Sequence, residues 1–333
     1  MRSHLIWQSW QAPHREAIDL MKQNRAIITQ ASSWADLMAL EKASPIECMV
    51  VDHQITWDRH TLAAFPGLRC LVRLGVGLDN VDQLAARDLG IQLGSVPDYG
   101  VTDVSDHALA LLLTLSRALP SRFNNMLAQP AYWMPETQLG FRLQGKRLTI
   151  VGLGRIGSAM AVRCASLGME ISFYDPYVSR GIEKSFGWKR LDTLELAINS
   201  DIVSLHCPLT SETFKLINRS YWDLLRSVGR SQVLINTARG SIVEWSSFID
   251  AFHDGTCSHA GLDVYPIEPL PESDPVLKAF RAQYSTSSGP RLALTPHYAF
   301  AGPESVRDLH VGAAKAALGH LLAPPSAEEG IIQ

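Results

Sequence analysis

Short apolar runs separated by amphipathic stretches fill the first hundred residues of the chain. Residues 5–8, 26–29, 47–52, 70–74 and 91–95 read as strands. Between them, residues 15–23, 34–42, 61–65 and 83–88 read as helices, the second behind a serine cap. Such βα alternation predicts a parallel sheet covered on both faces. It is too short to hold a dinucleotide-binding domain as well.

The texture then changes. Residues 96–120 begin with turn residues and continue as a long helix with an apolar stripe, stopped at Pro120. Residues 122–146 are irregular and rich in Trp, Tyr and Pro. A new strand–turn–helix unit opens at residue 148, and βα alternation resumes to about residue 294. One further helix, 303–322, precedes a polar tail. No internal repeat or low-complexity tract stands out. A long helix entering a second domain, with an orphan helix at the end, predicts a discontinuous arrangement. Residues 1–101 and 297–333 form one domain, and residues 102–296 form an inserted one.

Composition narrows the class. The chain has 333 residues, 46% hydrophobic and 19% charged, which is ordinary globular usage. A net charge of −3 argues against a nucleic-acid protein that binds by neutralising phosphates. Charge interrupts every apolar run near the amino terminus, so neither a signal peptide nor a membrane span is expected. The five cysteines, Cys48, Cys70, Cys164, Cys207 and Cys257, are scattered and lack CxxC spacing. Reduced cytoplasmic thiols fit them, and a metal site does not.

The strongest local signal is LTIVGLGRIGSAMAVRCASLGMEISFYD, residues 148–175. Gly152 permits a tight turn, Gly154 lets backbone approach a pyrophosphate, and Gly157 lets the helix pack closely on its strand. The amides of Arg155 and Ile156 then lie at a helix N-terminus, which favours an anion. Asp175 follows Gly157 by 18 residues at the tip of the next strand. Its carboxylate suits the ribose hydroxyls and repels a 2′-phosphate, so NAD is favoured over NADP, with Arg180 the first arginine after it. A glycine turn alone is a weak signal; strand, turn, helix, strand and acid in order are a strong one.

Three later strands, 233–236, 260–264 and 292–295, run into polar residues. Arg239, Glu268 and His297 therefore fall beyond strand ends, where open α/β sheets bind ligands. Taken singly, each has an ordinary reading: a loop arginine, a solvated acid, a turn histidine after Pro296. Together they suit reduction of a 2-oxo acid. A guanidinium binds the carboxylate as a fork, an imidazolium donates a proton, and a carboxylate orients that imidazole.

The chain resembles the D-isomer-specific 2-hydroxyacid dehydrogenases over nearly its full length. The resemblance rests on RLGVGLDNVD (73–82), VSDHALALLLTLSR (104–117), VGLGRIG (151–157), DIVSLHCPLT (201–210), NTARG (236–240), GLDVYPIEPLP (261–271) and TPH (295–297). It implies an α/β fold in which a Rossmann domain is inserted into a flavodoxin-like substrate domain, and a homodimer. It also implies that Arg239 binds substrate, that His297 exchanges the proton and that Glu268 is its partner. By the same likeness, amides around Val76 and Gly77 bind the substrate carboxylate. Thr237, Ala238 and Asp263 lie near the nicotinamide, and Cys207 and Pro208 near the adenosine half. Within the family, the chain is similar to the branch that contains the C-terminal-binding-protein corepressors and phosphoglycerate dehydrogenase-like members.

Three departures from the family pattern bear on substrate. Asp106 stands where many relatives have Glu. The 29 residues from Glu268 to His297 make a longer spacing than usual, with the excess expected at 279–291. Tyr298 and Phe300 follow the histidine, and bulk there reshapes a pocket. Trp133 is equally compatible with dimer packing and with reaching a partner's cleft. An NAD-sensing interaction protein with little turnover stays open as a second class; a partner-binding groove would mark it. Formate dehydrogenase fits less well, since such relatives pair the histidine with glutamine. Phosphoglycerate dehydrogenase also stays open.

Overall fold

The computed structural model describes residues 4–9, 11–128, 140–283 and 291–322. The chain divides into two compact units, one of Met1–Gly100 with Ala301–Gln333 and one of Val101–Phe300. Trp133, most of the 279–291 segment and the polar tail lie outside the described residues.

The first unit holds a parallel sheet of β1 (His4–Gln8), β2 (Ile27–Ala31), β3 (Cys48–Val51), β4 (Cys70–Arg73) and β5 (Gln92–Gly94), in the order β2-β1-β3-β4-β5. That is the flavodoxin-like order. Side chains alternate between two cores because a strand has a period of two. Leu5 and Trp7 join Val50 and Val72 on one face, beneath Ala313 and Ala317 of the helix Pro303–Leu322. Ile6, Met49 and Leu71 join Trp57 and Phe65 on the other. Burial on both faces explains why these strands read as unbroken apolar runs.

Among the described residues the second unit holds seven parallel strands: β6 (Arg147–Val151), β7 (Glu170–Tyr174), β8 (Lys189–Arg190), β9 (Ile202–Leu205), β10 (Gln232–Asn236), β11 (Cys257–Leu262) and β12 (Leu292–Leu294). Their order is β12-β11-β10-β9-β6-β7-β8. The chain thus starts at β6, winds outward to β8, returns beside β6 as β9 and winds outward the other way. This is the doubly wound Rossmann arrangement, whose reversal of direction beside β6 opens a crevice at the strand ends.

The helix Val101–Arg117 forms as the apolar stripe predicts, burying Val104, Ala108, Leu111, Leu112 and Leu115. Pro120 does not end helical structure there. Ala118 breaks it in a left-handed conformation (φ 50°), and a second helix, Leu119–Ala128, begins at once with Pro120 in its first turn. Proline is tolerated at that position because first-turn amides have no intrahelical acceptor. Residues 122–128, expected to be irregular, are therefore helical.

Candidate active site

Gly152 follows β6 with φ 89°, and a Cβ there would sit 2.5 Å from the Cys207 nitrogen. A Cβ on Gly157 would meet the Gly152 carbonyl oxygen at 2.0 Å. Both glycines are thus required for the chain to fold this tightly. Gly154 differs. It caps the helix Arg155–Ser166 without a side chain, and a Cβ on it would find nothing within 4 Å. Open space before a helix N-terminus is what an anionic pyrophosphate needs.

Asp175 follows β7 directly, and its carboxylate shapes the crevice. Oδ2 accepts from the Leu153 amide at 2.8 Å, inside the glycine turn itself. Oδ1 accepts from the amides of Tyr177 and Val178 at 2.9 and 3.1 Å. Arg190, which the sequence reading passed over, donates to the carbonyls of Asp175 and Ser179, pairs with Glu183 and lies over the Phe173 ring. Across the crevice, Tyr177 donates its hydroxyl to Glu212, joining the loops after β7 and β9. Cys207 lies on the latter loop, and burial pushes its thiol up to about 12. Pro208 beside it is exposed.

The loop after β10 is fixed by Asn236, whose side chain accepts from the Ala238 amide and donates to the Arg239 carbonyl, both at 3.0 Å. Thr237 is 8% exposed, and its hydroxyl has no partner among the described residues. A buried hydroxyl without a partner is costly, and a bound amide group would satisfy it. The open cradle and this hydroxyl both fit a nicotinamide dinucleotide. Arg239 is half-buried and donates to the Ala238 carbonyl at 2.7 Å. Gly240 next to it admits the backbone of Tyr265, which a Cβ would strike at 1.9 Å. This close approach brings the Glu268 loop against the Arg239 turn.

Glu268 and His297 meet directly. Glu268 Oε1 accepts from the Tyr265 amide at 2.9 Å, and Oε2 lies 2.7 Å from His297 Nδ1. A carboxylate accepts only, so Nδ1 carries hydrogen and Nε2 is the atom left to exchange a proton with a ligand. His297 has φ 54°, a left-handed conformation that costs a residue with a side chain about 1 kcal/mol or more. Its amide donates to the Asp263 carbonyl at 2.7 Å. Asp263 is 0% exposed, and its carboxylate accepts from Thr295 Oγ1 (2.6 Å) and from the amides of Tyr298 (2.8 Å) and Ala299 (2.9 Å). Its side chain therefore faces the 295–299 loop. The Tyr298 and Ile267 side chains, on the two loops that carry this pair, are 61% and 64% exposed. The Phe300 ring meets the His297 ring edge-on at 6.3 Å.

Val76 and Gly77 lie in the first unit, on the turn after β4. Gly75 precedes them with φ 139°, against the guanidinium of the buried Arg73. Asp106 pairs with Arg163 on the helix Arg155–Ser166 at 2.5 Å. Among the described residues no cluster of His, Cys, Asp and Glu is arranged to hold a metal, and no helix is long and apolar enough to cross a membrane.

Sheet order, glycine turn and strand-end acid define the class as a dinucleotide-binding α/β protein. The family model of the D-isomer specific 2-hydroxyacid dehydrogenase, NAD binding domain, matches residues 109–299. D-3-phosphoglycerate dehydrogenase from Archaeoglobus fulgidus is 32% identical over 263 residues, 79% of this chain and 49% of the relative. Glyoxylate reductase from Korarchaeum cryptofilum is 35% identical over 250 residues, 74% of this chain and 71% of the relative. D-lactate dehydrogenase from Aquifex aeolicus, solved with NAD and lactic acid, matches with a TM-score of 0.79 at 25% identity, covering 94% of this chain and 93% of that one. The chain spans about half the length of the phosphoglycerate dehydrogenases it matches. It belongs to the D-isomer specific 2-hydroxyacid dehydrogenase family, and its second unit carries that family's NAD binding domain.

Proposed function

We propose that the protein is an NAD-dependent reductase of a small 2-oxo acid, forming the (R)-2-hydroxy acid and running in both directions. The observation that carries this reading is the Glu268–His297 hydrogen bond, held on loops that leave the same sheet end as the dinucleotide cradle. When bound, NADH supplies the hydride. Gly152, Gly154 and Gly157 shape its cradle, and the amides of Arg155 and Ile156 face the pyrophosphate. Asp175 holds the adenosine ribose, Cys207 and Pro208 flank the adenosine half, and Thr237, Ala238 and Asp263 flank the nicotinamide.

Arg239 binds the substrate carboxylate and polarises the carbonyl, and amides at Val76 and Gly77 hold the same carboxylate. His297 gives its proton from Nε2 to the nascent alkoxide, while Glu268 holds the ring and stabilises its charge. The first unit is accordingly the substrate domain. The working form is a homodimer in the cytoplasm.

Steady-state NADH oxidation against glyoxylate, hydroxypyruvate, 2-oxoglutarate, phenylpyruvate and phosphohydroxypyruvate tests the proposal. Turnover with at least one supports it and identifies the substrate. Tight NADH binding with no turnover on any of them overturns it in favour of an NAD-sensing interaction protein. Gel filtration with light scattering tests the dimer.

A further inference from the structure

His107 has no part in the chemistry above, yet it reaches the same loop. It lies on the helix Val101–Arg117 with a side chain 22% exposed. Its Nε2 stands 2.9 Å from Thr295 Oγ1 and 3.7 Å from Asp263 Oδ1. Thr295 has one hydroxyl proton, and the carboxylate it faces at 2.6 Å only accepts. That proton therefore belongs to the Asp263 bond, and the hydroxyl oxygen must accept from His107. The chain of bonds has one direction: Nε2–H to Oγ1–H to Oδ1.

Asp263 is the end of that chain and the anchor of the next segment. Its carbonyl accepts from the amide of His297, and its carboxylate from the amides of Tyr298 and Ala299. Three consecutive amides thus converge on one buried residue, and the first belongs to a histidine in a left-handed conformation. A conformation of that kind persists only where its surroundings over-determine it. The Asp263 carboxylate can do so only while its own orientation is fixed, which the Thr295 hydroxyl secures.

We infer that His107 is a positioning residue for the reaction: through Thr295 it fixes the buried Asp263 carboxylate, which by holding the amides of Tyr298 and Ala299 keeps the segment that carries His297 in its left-handed backbone. The inference rests on His297 being the group that exchanges the proton. Networks of this kind act as units, so their members lose function non-additively.

The test compares His107→Leu, His107→Gln, Thr295→Val and the Leu/Val double variant in the full chain. Steady-state kinetics are measured with NADH dissociation constants by fluorescence and thermal midpoints. Misplacing a general acid lowers kcat by about tenfold, with KM and NADH affinity within about twofold. His107→Gln, whose side-chain amide donates where the ring did, recovers most of that loss. Thr295→Val reproduces it, and the double variant is no worse than either single one. Wild-type kcat in His107→Leu, no recovery with Gln, or a loss shared equally by kcat, NADH binding and thermal midpoint overturns the inference. Should His107→Leu fail to fold, wild-type kcat in Thr295→Val overturns it equally. His297→Gln separates the two readings. If that variant keeps its turnover, the role of His297 itself fails; if it is inactive while His107→Leu is not, only the present inference does.

Discussion

Arg239 projects from a turn pinned by Asn236 and backed by the Tyr265 backbone at Gly240, so the backbone that carries its guanidinium is held on both sides. Replacement by Gln keeps the turn and removes the charge. We expect kcat/KM for any 2-oxo acid to fall at least about 100-fold, with NADH affinity unchanged, because the lost interaction acts on the developing alkoxide. Unchanged reduction by the variant would remove Arg239 from the mechanism. Glu268→Gln separates charge from geometry, since an amide oxygen still accepts from the Tyr265 amide. Reduction needs the protonated imidazole, which a neighbouring carboxylate favours. Without that charge the ring keeps its place but loses a stabilising partner for its charged form, and we expect kcat for reduction to fall about tenfold. A kcat equal to that of the unsubstituted protein would sever the pair. Arg239, Glu268 and His297 were legible in the sequence because each follows an apolar run at a strand end. The left-handed conformation of His297 was not, nor was its support. Thr295 and His107 are 188 residues apart, and only tertiary packing joins them.

The glycine turn offers a contrast between two residues of one motif. Gly157 has the Gly152 carbonyl where its Cβ would be, so Gly157→Ala forces helix and strand apart at a cost of about 2 kcal/mol or more. Gly154→Ala points its methyl into open space, which predicts an unchanged thermal midpoint. That space is where a pyrophosphate approaches, and NADH affinity should fall about tenfold or more. Fluorescence titration alongside melting reads both outcomes. A Gly154→Ala protein with normal NADH affinity would move the phosphates elsewhere. The tight packing at Gly152 and Gly157 was readable in advance because glycine's constraints are local, as were the βα alternation and the helix Val101–Arg117. Pro120 misled, because a proline that stops one helix is equally suited to the first turn of another. Arg190 carries no motif of its own, since its work is done through the carbonyls of Asp175 and Ser179 on the loop after β7.

At the scale of the molecule, each unit hides imidazoles that must stay neutral. In the first, His310 packs against Trp7 and its Nδ1 accepts from the His14 amide at 3.0 Å; burial, with a smaller push from His14, brings it down to about 4. In the second, burial brings His206 down to about 4, and burial reinforced by Arg291 does the same to His259. In the unfolded chain these groups titrate near ~6.5. The folded state therefore binds fewer protons than the unfolded state between the two values. Stability from this source is complete above about pH 6.5 and is lost progressively as pH falls toward about 4. Calorimetry at pH 7 and pH 5 should show a lower midpoint at pH 5 with proton uptake on unfolding. His310→Gln keeps an acceptor for His14 and should flatten the dependence. Identical midpoints at the two pH values would refute the assignment.

The carboxylate of Asp175 does two jobs with its two oxygens, and this bears on how the protein could change its coenzyme. Deleting the acid is the obvious mutational step toward accepting a 2′-phosphate, yet it would strip the Leu153 amide of its partner and slacken the loop that every dinucleotide needs. The first step on that path is therefore a loss for both coenzymes. A lineage, or an engineer, would gain by keeping the acid and adding positive charge on the exposed stretch from Tyr177 to Arg180 before removing anything. The order of substitutions, more than their identity, decides whether the change is reachable.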